Sequence, residues 1–153
     1  MKLNRVPVIL TAAAASLLYS TPASAQILPP AQRAARVEMT QAPTLESAKD
    51  TWAIIRWTSS NPGGDDEHFG IVHFGTSAGD LSQTAKSHIR LNRSHPDTVF
   101  RVMLNNLKPG TTYYYTVGSM AANGADDQVQ STVRQFTTPA APRQTGPKTD
   151  RSG

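Results

Sequence analysis

An all-β, antiparallel sandwich of seven short strands is the fold the sequence predicts, and three observations predict it. Short runs rich in aromatic and β-branched residues recur through the middle of the chain, turn signals separate them, and one turn leads into a tyrosine-rich strand of special form. That stretch is Leu107-Lys108-Pro109-Gly110-Thr111-Thr112-Tyr113-Tyr114-Tyr115-Thr116-Val117. Pro109-Gly110 supplies turn geometry, and Tyr113, Tyr115 and Val117 then alternate with Thr112, Tyr114 and Thr116 at the strand period of two. Tyr113 stands where a tyrosine corner is expected, its ring in the core and its hydroxyl on backbone near the preceding turn.

The first element is an address rather than part of the fold. Lys2 and Arg5 give a positive start, residues 6–19 are mostly apolar, and Ala23-Ser24-Ala25 is a small-residue cleavage signal before Gln26. Residues 1–25 therefore read as a signal peptide, and the chain as exported to a periplasm or the medium. The apolar stretch is short and interrupted by Pro7 and Thr11, so no membrane span is expected after cleavage. The absence of cysteine excludes disulfides and lipid attachment at a cysteine.

Residues 26–35 form a lead-in segment, with an Ala-rich stretch at 31–37 carrying the one hint of helical composition. The folded domain is expected over 36–138. Its strands are 36–40, then 51–58 with Trp52 and Trp57, then 68–75, 84–91, 98–104, 111–119 and 131–138. Asn61-Pro62-Gly63-Gly64 ends the second strand. The Pro-containing tail over 139–153 has too little apolar content to pack and reads as disordered.

Net charge misleads until the ends are removed. Taking Lys2, Arg5, Arg143, Lys148 and Arg151 from the 15 basic residues, and Asp150 from the 11 acidic ones, leaves ten of each between Gln26 and Thr138. A formally neutral domain argues against a nucleic-acid surface, which needs clustered cations to neutralise phosphates.

The segment from about 36 to 139 resembles a fibronectin type III domain, an immunoglobulin-like sandwich. Trp57-Thr58 is similar to the tryptophan closing that family's second strand, Val72-His73-Phe74 to its third, and Phe136-Thr137-Thr138-Pro139 to its exit. More specifically, residues 73–81 (His-Phe-Gly-Thr-Ser-Ala-Gly-Asp-Leu) followed by residues 107–115 resemble the N-terminal domain of purple acid phosphatases. The resemblance implies structural roles for Trp57, Leu107, Pro109 and Tyr113. It also implies association with a metallophosphoesterase domain, whose Gly-Asn-His-Glu metal-binding run has no match in this chain. Gly79-Asp80-Leu81 is a partial echo of the family's Gly-Asp motif, in an expected turn where Asp is ordinary.

The chain is accordingly expected to be non-catalytic, with no cofactor and no metal, and no serine-nucleophile elbow is expected in it. His68 and His73 are five positions apart, so on one strand they point to opposite faces and cannot share an ion. His88 and His95 complete no zinc spacing. Asn92-Arg93-Ser94 matches a glycosylation acceptor, a match that a bacterial-looking signal renders accidental.

Two surface features remain as candidates. Asp65, Asp66, Glu67, Asp126 and Asp127 fall in loops expected at one pole, where they would bind a cation or basic partner, or else simply solvate the loops. If Val72 and Phe74 point inward, Phe69, Ile71 and His73 point outward beside Tyr114 and Val133, forming an apolar interaction face. The function implied is protein–protein contact by an exported module; the alternative is an accessory domain of a phosphatase.

Overall fold

The computed structural model describes residues 32–143, in eight strands and two antiparallel sheets. The strands are β1 (Met39–Ala48), β2 (Ala53–Ser60), β3 (Glu67–Gly75), β4 (Gln83–Arg90), β5 (Asp97–Leu104), β6 (Thr112–Ala121), β7 (Asp126–Gln130) and β8 (Arg134–Thr137). One sheet has the order β1-β2-β5, and the other β4-β3-β6-β7 with β8 also paired to β6. The expected signal peptide and the tail beyond residue 143 lie outside the described residues.

The core forms where the inward faces of the two sheets meet. Ile55 and Trp57 of β2, Val102 and Leu104 of β5, Val72 of β3 and Val117 of β6 are essentially fully buried. Trp57 and Phe100 are cross-strand partners whose rings stack 5.2 Å apart, the kind of pair that stabilises a sheet beyond simple burial. Gly70 of β3 makes room for them: a Cβ there would lie 3.0 Å from the far edge of Trp57 and 3.1 Å from both Phe100 and Val102.

The tyrosine corner is present. The backbone N–H of Lys108 donates to the Tyr113 hydroxyl at 2.9 Å, while the ring stacks on Phe136 at 5.7 Å and Phe74 lies 6.2 Å away. Leu107 is buried and Pro109 exposed. Gly110 takes a φ of 60°, which favours glycine, and its N–H donates to the carbonyl of Pro139. Thr138 completes the lock, its hydroxyl donating to Lys108 O at 2.6 Å and accepting from Thr111 N at 3.0 Å.

Three sequence expectations are corrected. The first strand is not 36–40: β1 starts at Met39 and continues through Pro43 to Ala48, with three register shifts against β2. An edge strand accommodates proline and bulges because one side needs no ladder bonds. The Ala-rich stretch is not helical over its described residues; Ala34 N instead bonds to Pro62 O.

The last strand, expected as 131–138, is shortened to β8, and a further strand, β7, precedes it. Asp126–Gln130, read as loop, is strand, and Gln128 sits inside it at a φ of 57°. The Asp126 carboxylate accepts from Gln128 N at 2.5 Å, a local side-chain bond that stabilises the irregular backbone. The Ser131 hydroxyl then accepts from Val117 N where the ladder breaks.

Candidate interaction surface

Strand alternation builds the outer face of the five-stranded sheet. Val72 and Phe74 enter the core, so Phe69, Ile71 and His73 face outward, and on β6 the buried Tyr113, Tyr115 and Val117 leave Tyr114, Thr116, Gly118 and Met120 outside. On β4, Ala85 and Ile89 pack on the core, which turns Thr84, Lys86, His88 and Arg90 out. The pairing aligns these side chains in rows. One row is Lys86, Ile71, Gly118, Gln130; the next is His88, Phe69, Met120, Asp126.

The five residues expected to make an apolar face are not equally presented. His73 is exposed and bonds the Thr84 hydroxyl at 3.0 Å; Phe69 and Tyr114 are half-buried. Ile71 is only 6% exposed, and Val133, at 47%, lies between β7 and β8 rather than on a strand. Ile71 lines a hollow of about 270 Å³ with Gly118, Met120 and Val129. Gly118 lets β7 approach closely, since a Cβ there would come within 2.8 Å of the Val129 carbonyl.

The acidic residues expected at one pole are engaged separately, and Glu67, Asp126 and Asp127 lie in strands rather than loops. Asn61 of the β2–β3 loop donates to the carbonyls of Asn92 and His95, and Asn123 donates to Asp65 at 3.1 Å, so three loops are tied together. Asp66 pairs with Arg93, and Glu67 with His88 at 3.6 Å. Asp126 bonds its own strand's backbone. Among the described residues no group of three or more His, Cys, Asp or Glu is placed to hold a metal ion.

Asp127 departs furthest from its reading as a solvating or cation-binding loop residue. Its side chain has no exposure, one oxygen lies 2.6 Å from an Arg33 guanidinium nitrogen, and the other lies 3.4 Å from Nε2 of the equally buried His68. Arg33 also donates to the carbonyl of Asp126 at 2.7 Å. Sequence reasoning missed this network because Arg33 lies in the lead-in segment, where nothing signals a buried partner.

Residues 75–79, Gly-Thr-Ser-Ala-Gly, spell the Gly-x-Ser-x-Gly pattern, contrary to the expectation that the chain carries none. A nucleophile elbow needs a sharp strand-to-helix turn. Here the residues join two strands, with Ser77 and Asp80 bridged and the Ser77 hydroxyl accepting weakly from Gly79 N at 3.4 Å, so no elbow is built. Gly75 is needed because the Asp80 carbonyl would lie 2.0 Å from a Cβ there.

The family described as "Purple acid Phosphatase, N-terminal domain" matches residues 40–138. No curated protein matches the chain significantly. Among solved structures, the sensor domain of the anti-sigma factor RsgI4 of Pseudobacteroides cellulosolvens is 16% identical, with 72% of this chain and 94% of that one covered at a TM-score of 0.47. A domain of human fibronectin type III domain containing protein 3 is 20% identical, with 85% and 98% covered at 0.45. The fn3 domain of human contactin 1 is 12% identical, with 82% and 97% covered, also at 0.45.

Proposed function

Because the chain belongs to the family of purple acid phosphatase N-terminal domains, we propose that it is an exported, non-catalytic β-sandwich module that works by protein–protein contact. The observation that carries this reading is the outer face of β4-β3-β6. There the half-buried Phe69 and Tyr114 offer apolar surface, and a hollow lined by Ile71, Met120 and the polar Asp126 and Gln128 lies on the same face. The family match favours a metallophosphoesterase domain as the partner.

Export rests on the amino-terminal pattern. Mass analysis of the protein recovered outside the cytoplasm is expected to show a chain beginning at Gln26. Among the described residues no helix is long and apolar enough to cross a membrane. With iron, zinc or manganese added, the purified chain is expected not to hydrolyse phosphate esters; activity that co-purifies with it would refute the non-catalytic reading.

The contact role is tested by affinity capture with two variants that spare the buried network. Phe69→Ser with Tyr114→Ser is expected to lose the partner, while Asp65→Asn with Asp66→Asn keeps it. The reverse pattern would move the contact to the acidic pole.

A further inference from the structure

We propose that the free edge of β4 takes an added strand: an extended segment of a partner protein with two carboxylates four residues apart, one for Lys86 and one for Arg90. This deepens the contact reading above and rests on it, moving from the face of the sheet to its edge. β4 ends the five-stranded sheet on its side, and its eight residues include neither proline nor glycine. It pairs with β3 from Gln83 to Arg90 without a register shift. Its other edge therefore presents a regular row of backbone donors and acceptors, the template that strand addition uses.

The remaining edges are less suited. Pro43 and three register shifts interrupt β1, Gln128 at a φ of 57° interrupts β7, and β8 has only four residues. β5 is regular, but its Arg101 already has Glu46 as a partner. Beside β4 there is room as well. A hollow of about 500 Å³ separates Gln83, Ala85 and Lys86 from Met103, Asn105 and Asn106, so β5 leaves this half of the edge uncovered. Variable-type immunoglobulin sandwiches carry an additional strand on the corresponding edge, which shows that the architecture accommodates one.

Charge selects the occupant. Strand alternation turns Thr84, Lys86, His88 and Arg90 to one face, all of them exposed. Glu67 is the sole acid on β3 and β4; it stands opposite Arg90 in the register, and its carboxylate lies 3.6 Å from His88. No ion pair engages Lys86 or Arg90 among the described residues. Antiparallel pairing with a second copy of β4, in the registers that use most of the strand, would set Lys86 against its own equivalent or against His88, neither of which supplies an acid. A strand with carboxylates opposite Lys86 and Arg90 gains two cross-strand pairs of opposite sign instead. Those positions lie about 13 Å apart along β4, a distance that an extended partner covers in the same four residues.

Titration of the ¹⁵N-labelled chain with synthetic peptides, followed by nuclear magnetic resonance, tests the inference. The probe is a capped peptide of threonine and valine with two glutamates four residues apart. One control replaces both glutamates with lysine. Two others keep them and N-methylate alternate backbone amides, one in each frame, which removes strand hydrogen bonds without changing charge. Shifts and slowed amide exchange are expected over residues 84–90. The lysine peptide should bind about tenfold more weakly, and one N-methylated peptide should not bind. Lys86→Glu should abolish the preference for glutamate, and the milder Lys86→Gln should reduce it about threefold. Equal binding of the glutamate and lysine peptides would overturn the inference, as would undiminished binding of both N-methylated peptides. An absence of shifts over residues 84–90 would overturn it too. Each of these results leaves the contact reading standing, because the face at Phe69 and Tyr114 is tested separately by the capture variants. Shifts over residues 84–90 that grow with protein concentration alone would make a second copy of the chain the occupant, and the inference would fall.

Discussion

Arg33 reaches across 94 positions of sequence to bring a guanidinium nitrogen within 2.6 Å of the Asp127 carboxylate, whose side chain is wholly buried. The bond fastens the segment before β1 to β7 at the edge of the opposite sheet. Arg33→Ala strands a buried charge and should cost about 1–3 kcal/mol. That is less than for a fully enclosed pair, because the Arg33 side chain is 36% exposed. Urea unfolding measures the loss. Arg33→Ala combined with Asp127→Ala should cost less than the two single changes added together; strict additivity would show the pair uncoupled.

Gly70 and Trp57 face each other across the core, where a Cβ at position 70 would lie 3.0 Å from the Trp57 ring. Gly70→Ala should destabilise by about 1–3 kcal/mol through overpacking, and Trp57→Ala by about 3–5 kcal/mol through the cavity it leaves. Trp57→Phe removes the atom that a Cβ at position 70 would approach most closely. Gly70→Ala should therefore cost less in a Trp57→Phe background, as a double-mutant cycle in denaturant would measure.

Tyr113→Phe isolates the corner hydroxyl. The ring keeps its stacking on Phe136, while the Lys108 N–H loses its acceptor. A cost of about 0.5–1.5 kcal/mol is expected. The denaturation midpoint should move and the slope should not.

Alkaline pH acts on Tyr115. Burial pushes its phenol above the ordinary value, and the positive charge of Arg134 pulls the other way. The unfolded chain releases this proton near pH 10, whereas the folded chain holds it longer. Stability from this group is thus complete below about pH 10 and is lost as pH rises through the folded pKa. Tyr115→Phe should flatten the alkaline limb of a stability–pH curve, and Arg134→Gln should steepen it.

Why some of this was legible and some was not follows from the range of the interactions. The strand runs, the turn at Pro109-Gly110 and the corner at Tyr113 are local: each is set by propensities and by contacts within a few residues, so the sandwich could be read directly. Opposite facing of His68 and His73 is equally local, following from the period of two. At Asp126–Gln130 local logic failed. Two acids in succession read as loop, yet the strand forms because Asp126 caps Gln128 N and the buried Asp127 finds Arg33.

The outward direction of Ile71 was likewise legible, but its burial was not, because exposure depends on which strands lie alongside. By itself, then, the sequence determined the fold class, the burial of Trp57, the inward residues of β3 and β6, and the family. The tertiary structure alone decided the extra strand β7, the buried Arg33–Asp127–His68 contacts, and the row that aligns Lys86, Ile71 and Gly118. Those features depend on pairings between residues distant in the chain, and no one-dimensional pattern encodes which charge meets which partner once the two sheets have closed.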